Sequence, residues 1–461
     1  MGTWKWKLRW KTPPPSEDRR FLLLSILIGL FTGLLVVCFH ITIDYLYWIA
    51  LGPNRRGLFV TLLAPPLGAT AASALVLLVF RAARGSGVNQ TKAAVHLNDG
   101  LIPPNTVAGK FLACSISIGT GTSLGPEDPA LQMGAGVASL LGQRLRMSLE
   151  SMRMIAPVGA AAGIAAAFNT PITAVLFVME EVVAGWRSGV LGSIVLAAVS
   201  ASVVVRSFLG DEPLFGIPPF RLAHPAELLI YAAIGVAGGA LSAVFIKLVF
   251  LLRHGLAKLP EWSRFVQPGG AGVLVGVAGI WAPEVMGAGY AAIDSALHDQ
   301  FPWNMLLMLG LLKILVTLIC FSAGIPGGMF APTLFAGAMI GGGLGALARM
   351  YFPFPVSASS AYVLVGMGTF FAGVFRAPMT SIFMVFEVSA TYVIIVPVMI
   401  ANTISYLVSR QFQPTAFFEM LAREEGLALP SPEEILHGRP LPAKDDEAAP
   451  APSSGSGPDG T

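Results

Sequence analysis

This 461-residue chain is predicted to be an all-α polytopic membrane protein in two repeated halves, and three observations predict it. Apolar residues make up 54% and charged residues only 12%, about half the roughly 25% usual in soluble proteins. Glycine (51) and proline (34) are abundant yet set within apolar runs, as membrane helices tolerate, and the mean hydropathy is +0.71. Blocks of the first half recur in the second. An ordinary cytoplasmic enzyme is thereby excluded, as is a disordered chain, which would be charged and poor in large apolar groups. A net charge of +3 is too near zero to suggest a nucleic-acid partner. Cys38, Cys114 and Cys320 form an odd, scattered set, and the six histidines never fall at i, i+4. Neither a disulfide framework nor a metal site or other cofactor is therefore expected. The triplet Asn89-Gln90-Thr91 fits a glycosylation sequon and carries little weight.

Residues 1–20 form a polar head with Lys5, Lys7, Arg9, Lys11, Arg19 and Arg20 against Glu17 and Asp18. The apolar stretch from Phe21 to about residue 51 is too long for a signal-peptide core. The excess of cations before it places the head in the cytoplasm. Apolar blocks follow near 57–80, 107–142, 155–182, 189–209, 227–252, 269–288, 304–321, 325–349, 360–388 and 391–409. Several exceed the roughly 20 residues of one span and are broken by Gly and Pro, which predicts paired or interrupted helices. Residues 21–209 are read as the first membrane repeat, 210–226 as a linker and 227–425 as the second repeat. Residues 426–461, rich in Pro, Ala, Ser and Gly toward their end, are expected to be a largely disordered cytoplasmic tail too short for a globular domain.

The repeat is carried by costly residues. Lys110 lies 15 residues before Gly125, as Lys313 lies 15 before Gly328. Gly125-Pro126-Glu127-Asp128-Pro129 matches Gly328-Met329-Phe330-Ala331-Pro332 as G-x-x-x-P, a shift of 203. In a second block Gly159, Phe168, Pro171, Thr173 and Glu180 match Gly366, Phe375, Pro378, Thr380 and Glu387, a shift of 207.

Duplicated membrane halves commonly meet at a binding site near the bilayer midplane, built from broken helices whose N-termini point inward. Such an end carries free N–H groups and about half a positive charge, so two of them aimed at one point make an anion site. Both G-x-x-x-P segments suit such ends. Lys110 and Lys313 would add positive potential, being cations inside apolar blocks. The plainer alternative makes the Gly/Pro runs packing kinks and the lysines snorkelling side chains. Glu127 tips the balance: when ionised it could occupy the site in place of an anion, and when protonated it could leave. Glu180 and its counterpart Glu387 read as structural helix-end groups. The unmatched Glu181 is the better functional candidate, since Val388 stands opposite it.

These residues resemble the CLC family of chloride channels and chloride/proton antiporters, over about 21–423. The most specific stretches are 159–171 (GAAAGIAAAFNTP) with Glu180-Glu181, and 324–332 (GIPGGMFAP). The resemblance implies two inverted halves of short, tilted and broken helices, in a homodimer with one pathway per subunit. The first filter motif, G-S-G-I-P, is similar to Gly85-Ser86-Gly87-Val88-Asn89, and Ser86 would donate its hydroxyl to the central anion; a plain turn serine is the alternative. Members with Ser here tend to prefer chloride, those with Pro nitrate, and the fluoride exporters usually carry Met. Gly125 to Pro129 stands for G-R-E-G-P, with Glu127 as the gating glutamate. Gly328 to Pro332 keeps the third motif intact, with the N–H groups of Met329 and Phe330 facing the anion. Glu181 matches the internal proton glutamate that antiporters commonly keep.

Three departures stand out. Pro126 replaces Arg and removes a cation and a donor. Asp128 replaces Gly; it either faces the outer site beside Glu127 or, as favoured here, points outward as a cap. The inner tyrosine falls at Phe418, or at Phe417 if the register slips, so its hydroxyl is lost and a weaker inner gate is expected. Asn89 in place of Pro has no consequence visible in the sequence. The expected activity is chloride/proton antiport, with a passive voltage- or pH-gated chloride channel or slipping transporter as the alternative. An unrelated inverted-repeat solute transporter is more distant, and no nucleophile–base pair supports an enzyme. The expected location is the bacterial inner membrane with both termini cytoplasmic, and the expected partners are chloride, protons, lipid and a second copy.

Overall fold

The computed structural model describes residues 15–52, 57–184, 188–211, 214–217 and 222–429. Lys5, Lys7, Arg9 and Lys11 of the basic head, the tail from 430 and part of the 210–226 stretch lie outside the described residues. The described residues hold seventeen helices, and their only extended pairing is one isolated bridge. The first half runs α1 (Pro15–Ala50), α2 (Leu58–Leu78), α3 (Val88–His96), α4 (Pro104–Gly119), α5 (Glu127–Arg144), α6 (Leu149–Phe168), α7 (Pro171–Phe177) and α8 (Ser188–Leu209). The second runs α9 (Glu227–Ala257), α10 (Ser263–Trp281), α11 (Tyr290–Leu297), α12 (Trp303–Ser322), α13 (Phe330–Tyr351), α14 (Ser359–Phe375), α15 (Pro378–Ser389) and α16 (Ile395–Phe412), and α17 (Phe417–Glu424) closes the chain. Eight of the helices are long and apolar enough to cross a membrane.

The long apolar blocks break where their residues demand it. The 107–142 block splits into α4 and α5 around the Gly121 and Gly125-Pro126 turns. The 155–182 block splits at Asn169, whose left-handed backbone (φ 56°) ends α6, and at Pro171, which opens α7. Proline suits a first helical position because its missing N–H would be unpaired there. Arg376 (φ 58°) and Pro378 repeat this break between α14 and α15.

The halves correspond helix for helix, α1–α8 to α9–α16. Gly29 of α1 lies so close to α8 that a Cβ on it would sit 2.4 Å from the Ala197 carbonyl oxygen. Its counterpart Gly235 of α9 would meet the Ala401 carbonyl of α16 at 2.7 Å. Small residues replace hydrophobic drive in such membrane contacts by letting backbones approach.

The halves meet through reciprocal bonds. Gly125 N–H donates to the Gly328 carbonyl at 2.8 Å, and Gly328 N–H to Gly125 at 2.7 Å. This bridge is antiparallel, so equivalent segments run in opposite directions and the repeats are inverted. Glu180 accepts the Thr380 N–H at 3.0 Å and hydroxyl at 2.7 Å, at the start of α15. Glu387 returns the favour at the start of α7, accepting the Ile172 N–H at 2.9 Å and the Thr173 N–H at 2.6 Å. Both glutamates are helix-end groups, each capping a helix of the other half.

Candidate functional site

Four helix N-termini converge on the two-fold. A Cβ on Gly87, the residue before α3, would lie 2.5 Å from the Asp128 carbonyl of α5. One on Gly328, before α13, would lie 2.8 Å from the Asp128 side-chain carbon. Asn89 of α3 donates to the Phe418 carbonyl of α17 at 3.0 Å, which is the consequence the sequence left open for Asn89. Each terminus brings N–H groups that have no partner within the helix ladder, and positive potential. The sequence's filter segments therefore come together: Gly85, Ser86 and Gly87, Gly125 to Pro129, Gly328 to Pro332, and Phe418.

Glu127 is fully buried and bridges the halves. Its Oε2 accepts the Ala331 N–H of α13 at 3.2 Å, and its Oε1 accepts the Tyr290 hydroxyl. Asp128 does not cap outward. It is 1% exposed, and its Oδ2 accepts the Met329 N–H at 3.0 Å. The side-chain-free Gly328 leaves room for it, and a free amide across the interface attracts it. The Met329 N–H is thus taken by Asp128.

Ser86 is buried at 2% exposure, and its hydroxyl has no hydrogen-bond partner in the protein. Phe330 sits in a cage of phenylalanines. Its ring centroid lies 4.8 Å from Phe375, 5.0 Å from Phe177, 5.2 Å from Phe371 and 6.4 Å from Phe418. Of the two registers for the lost tyrosine, Phe418 faces Phe330, whereas Phe417 packs against Phe250 and Phe321.

Two cavities approach this plug. One, of about 890 Å³, is lined by Pro126, Phe168, Tyr290, His40 and Glu284. The other, of about 330 Å³, is lined by Ser86, Gly327, Arg253, Glu424 and Glu425. The larger also touches Tyr47 near the end of α1. The smaller touches Val76 and Leu77 at the end of α2, which crosses back, so the two open toward opposite ends of the fold.

The matched lysines do equivalent work. Lys110 Nζ donates to the Gly85 carbonyl at 2.5 Å. Lys313 Nζ donates to Val285 at 2.9 Å and Gly287 at 2.6 Å. Both are buried rather than snorkelling. Each holds the glycine turn that opens a short helix, α3 or α11. Glu181 stands apart from the cluster, in a π-turn (Val178–Val182) after α7, and pairs with Lys92 of α3 at 2.6 Å. Sequence reasoning missed Tyr290 and Lys92. Gly287-Ala288-Gly289-Tyr290 echoes Gly85-Ser86-Gly87-Val88 at a shift of 202, so extending the repeat would have found Tyr290. No comparable signal marks Lys92.

Inverted halves, helix termini facing across their axis and cavities reaching them from both ends define a membrane permeation protein with a central anion-type site. Residues 68–410 match the family described as "Voltage gated chloride channel", and the chain belongs to that family. A Ralstonia nicotianae protein described as ClcB-like is 31% identical over 89% of this chain and 99% of its own length. The H(+)/Cl(-) exchange transporter ClcA of Salmonella arizonae is 29% identical over 82% of this chain and 83% of its own. The solved structure of a slow cyanobacterial Cl-/H+ antiporter shares the fold, with a TM-score of 0.82 at 23% identity over 90% of this chain and 99% of that one. That of a CLC-type fluoride/proton antiporter scores 0.75 at 21% identity over 88% and 100%.

Proposed function

We propose that this protein exchanges chloride for protons across a membrane. The observation that carries this reading is Glu127 seated on the Ala331 N–H at the start of α13. A tethered carboxylate there stands where a free anion would, so its release and an anion's entry are linked. The relatives named as H(+)/Cl(-) exchange transporters support the same reading.

In this scheme the larger cavity is the outer mouth and the smaller the inner. A proton from outside neutralises Glu127, which then leaves the α13 terminus and opens the site to chloride. Ser86 donates its unpartnered hydroxyl to the central anion, and the amides at the starts of α5 and α13, Phe330 among them, line the path. Phe418 narrows the inner exit without a hydroxyl of its own. Lys110 and Lys313 steady the loops and add positive potential. Glu181, held by Lys92, passes protons to the inner face. The protein would work as a homodimer in a bacterial inner membrane with cytoplasmic termini, its halves spanning 21–209 and 227–425 about a 210–226 linker.

Purified protein in liposomes tests this. With membrane potential clamped, an imposed chloride gradient should drive protons uphill. Glu127→Ala should abolish proton movement and keep anion flux, and Glu181→Val should likewise uncouple the two. Proton pumping that survives in Glu127→Ala would refute the scheme. The phenyl ring of Phe418 at the inner exit favours a second reading, a passive or slipping chloride pathway. Chloride flux without any proton movement would select it.

A further inference from the structure

Asp128 is the buried charged group at the centre to which that exchange scheme gives no task. Its Oδ2 holds the Met329 N–H at 3.0 Å, while its Oδ1 is buried without a hydrogen-bond partner. One residue earlier, Glu127 holds the Ala331 N–H at 3.2 Å. Two successive carboxylates of α5 thus sit on two amides, two residues apart, at the start of α13. Neither has an ion-pair partner among the described residues. The charged or titratable groups facing Asp128 are Lys110 and Cys114 of α4 and Glu127 of its own helix. The α3 and α13 termini present backbone and the glycines Gly87 and Gly328. Lys110 is bonded to the Gly85 carbonyl instead. The arrangement costs a buried anion, which a purely structural brace would not need, since a neutral amide accepts the same hydrogen bond.

We propose that Asp128 is a second carboxylate gate, occupying the Met329 amide as a tethered anion. Chloride takes that position only when Asp128 has bound a proton and given up the amide. Each chloride bound there then brings one proton onto Asp128, released again when the chloride departs and the carboxylate returns. This inference rests on the exchange reading and adds to it a proton-linked binding step: the proton on Asp128 returns to the side it came from, so net proton exchange still depends on Glu127.

The test uses the Glu127→Gln background, which leaves Asp128 as the only gate carboxylate. Chloride binding is measured by calorimetry on the purified full chain across a pH series. With Asp128 present, affinity should fall about tenfold per pH unit at the alkaline end, the signature of one linked proton. With Asp128→Asn added, which keeps an acceptor oxygen and removes the charge, affinity should become pH-independent and higher at alkaline pH. Asp128→Gly serves in its place if the Asn variant is not monodisperse. Equal pH slopes with and without the Asp128 carboxylate would overturn the proposal while leaving the exchange reading intact. Absence of chloride binding in Glu127→Gln at every pH would instead remove the exchange reading, and this inference with it.

Discussion

Tyr290 reaches Glu127 from a helix 163 residues further along the chain. Its hydroxyl touches the carboxylate from the wall of the larger cavity, where under the proposed exchange scheme it would latch the seated position. Hydrogen bonds to charged groups contribute about 1.5–3 kcal/mol. Tyr290→Phe should therefore free the carboxylate and raise chloride flux at neutral pH by on the order of tenfold. Stopped-flow or electrode recordings from liposomes would read this, and an unchanged flux would deny the hydroxyl any hold on the gate. The contrast with Phe418 is instructive. An aromatic hydroxyl is absent at Phe418 and present at Tyr290, on an element that the two repeat blocks read from the sequence did not include.

At the scale of one element, α17 is docked on α3 by two side chains. Asn89 reaches the Phe418 carbonyl, and Gln90 donates to Glu425 at 2.9 Å. Gln90 also accepts the Gly87 N–H at 2.9 Å, so it links the α3 turn to the end of α17. Glu425 lies beyond the spanning helices. Burial pushes its carboxyl above the usual carboxylate range, with Arg253, Lys110 and the Gln90 amide pulling it back. An acid raised in the folded state binds more protons there than in the unfolded chain. Its contribution is present at low pH and lost as pH rises through the folded value. Glu425→Gln escapes that loss. Its melting temperature relative to the parent should rise by a few degrees as pH climbs from about 4 to about 7. A gap that stays flat or moves the other way would show that Glu425 ionises without cost to the docking.

For the whole molecule, the decisive contacts are those between halves. The Gly125–Gly328 bridge, the Glu180 and Glu387 caps, and the Glu127 and Asp128 bonds to α13 all cross the two-fold. Neither half has these partners alone. Halves expressed as separate chains, broken between residues 212 and 213, should copurify when made together and fail to accumulate when made singly. Independent accumulation of either half would mean that each folds without the other. Two repeat blocks were legible in the sequence because their Lys, Glu, Phe and Pro are expensive in an apolar chain. The helix-for-helix match was not, because α3 and α11 are short and share little beyond glycines.

Composition, block lengths and matched motifs specify the membrane class, the duplication and the two G-x-x-x-P segments with Glu127, whereas Ser86 and Phe418 were singled out only through the family resemblance. The former are properties carried along the chain, set by which residues tolerate lipid, which ones break helices and at what spacing they recur. Tertiary structure alone decided which way Asp128 points, that Tyr290 meets Glu127, and that Lys92 neutralises Glu181 across 89 residues. Each of these depends on how two inverted halves dock. Side-chain direction at a helix terminus is set by the amides and space that the opposite half supplies, and nothing local in the sequence encodes them.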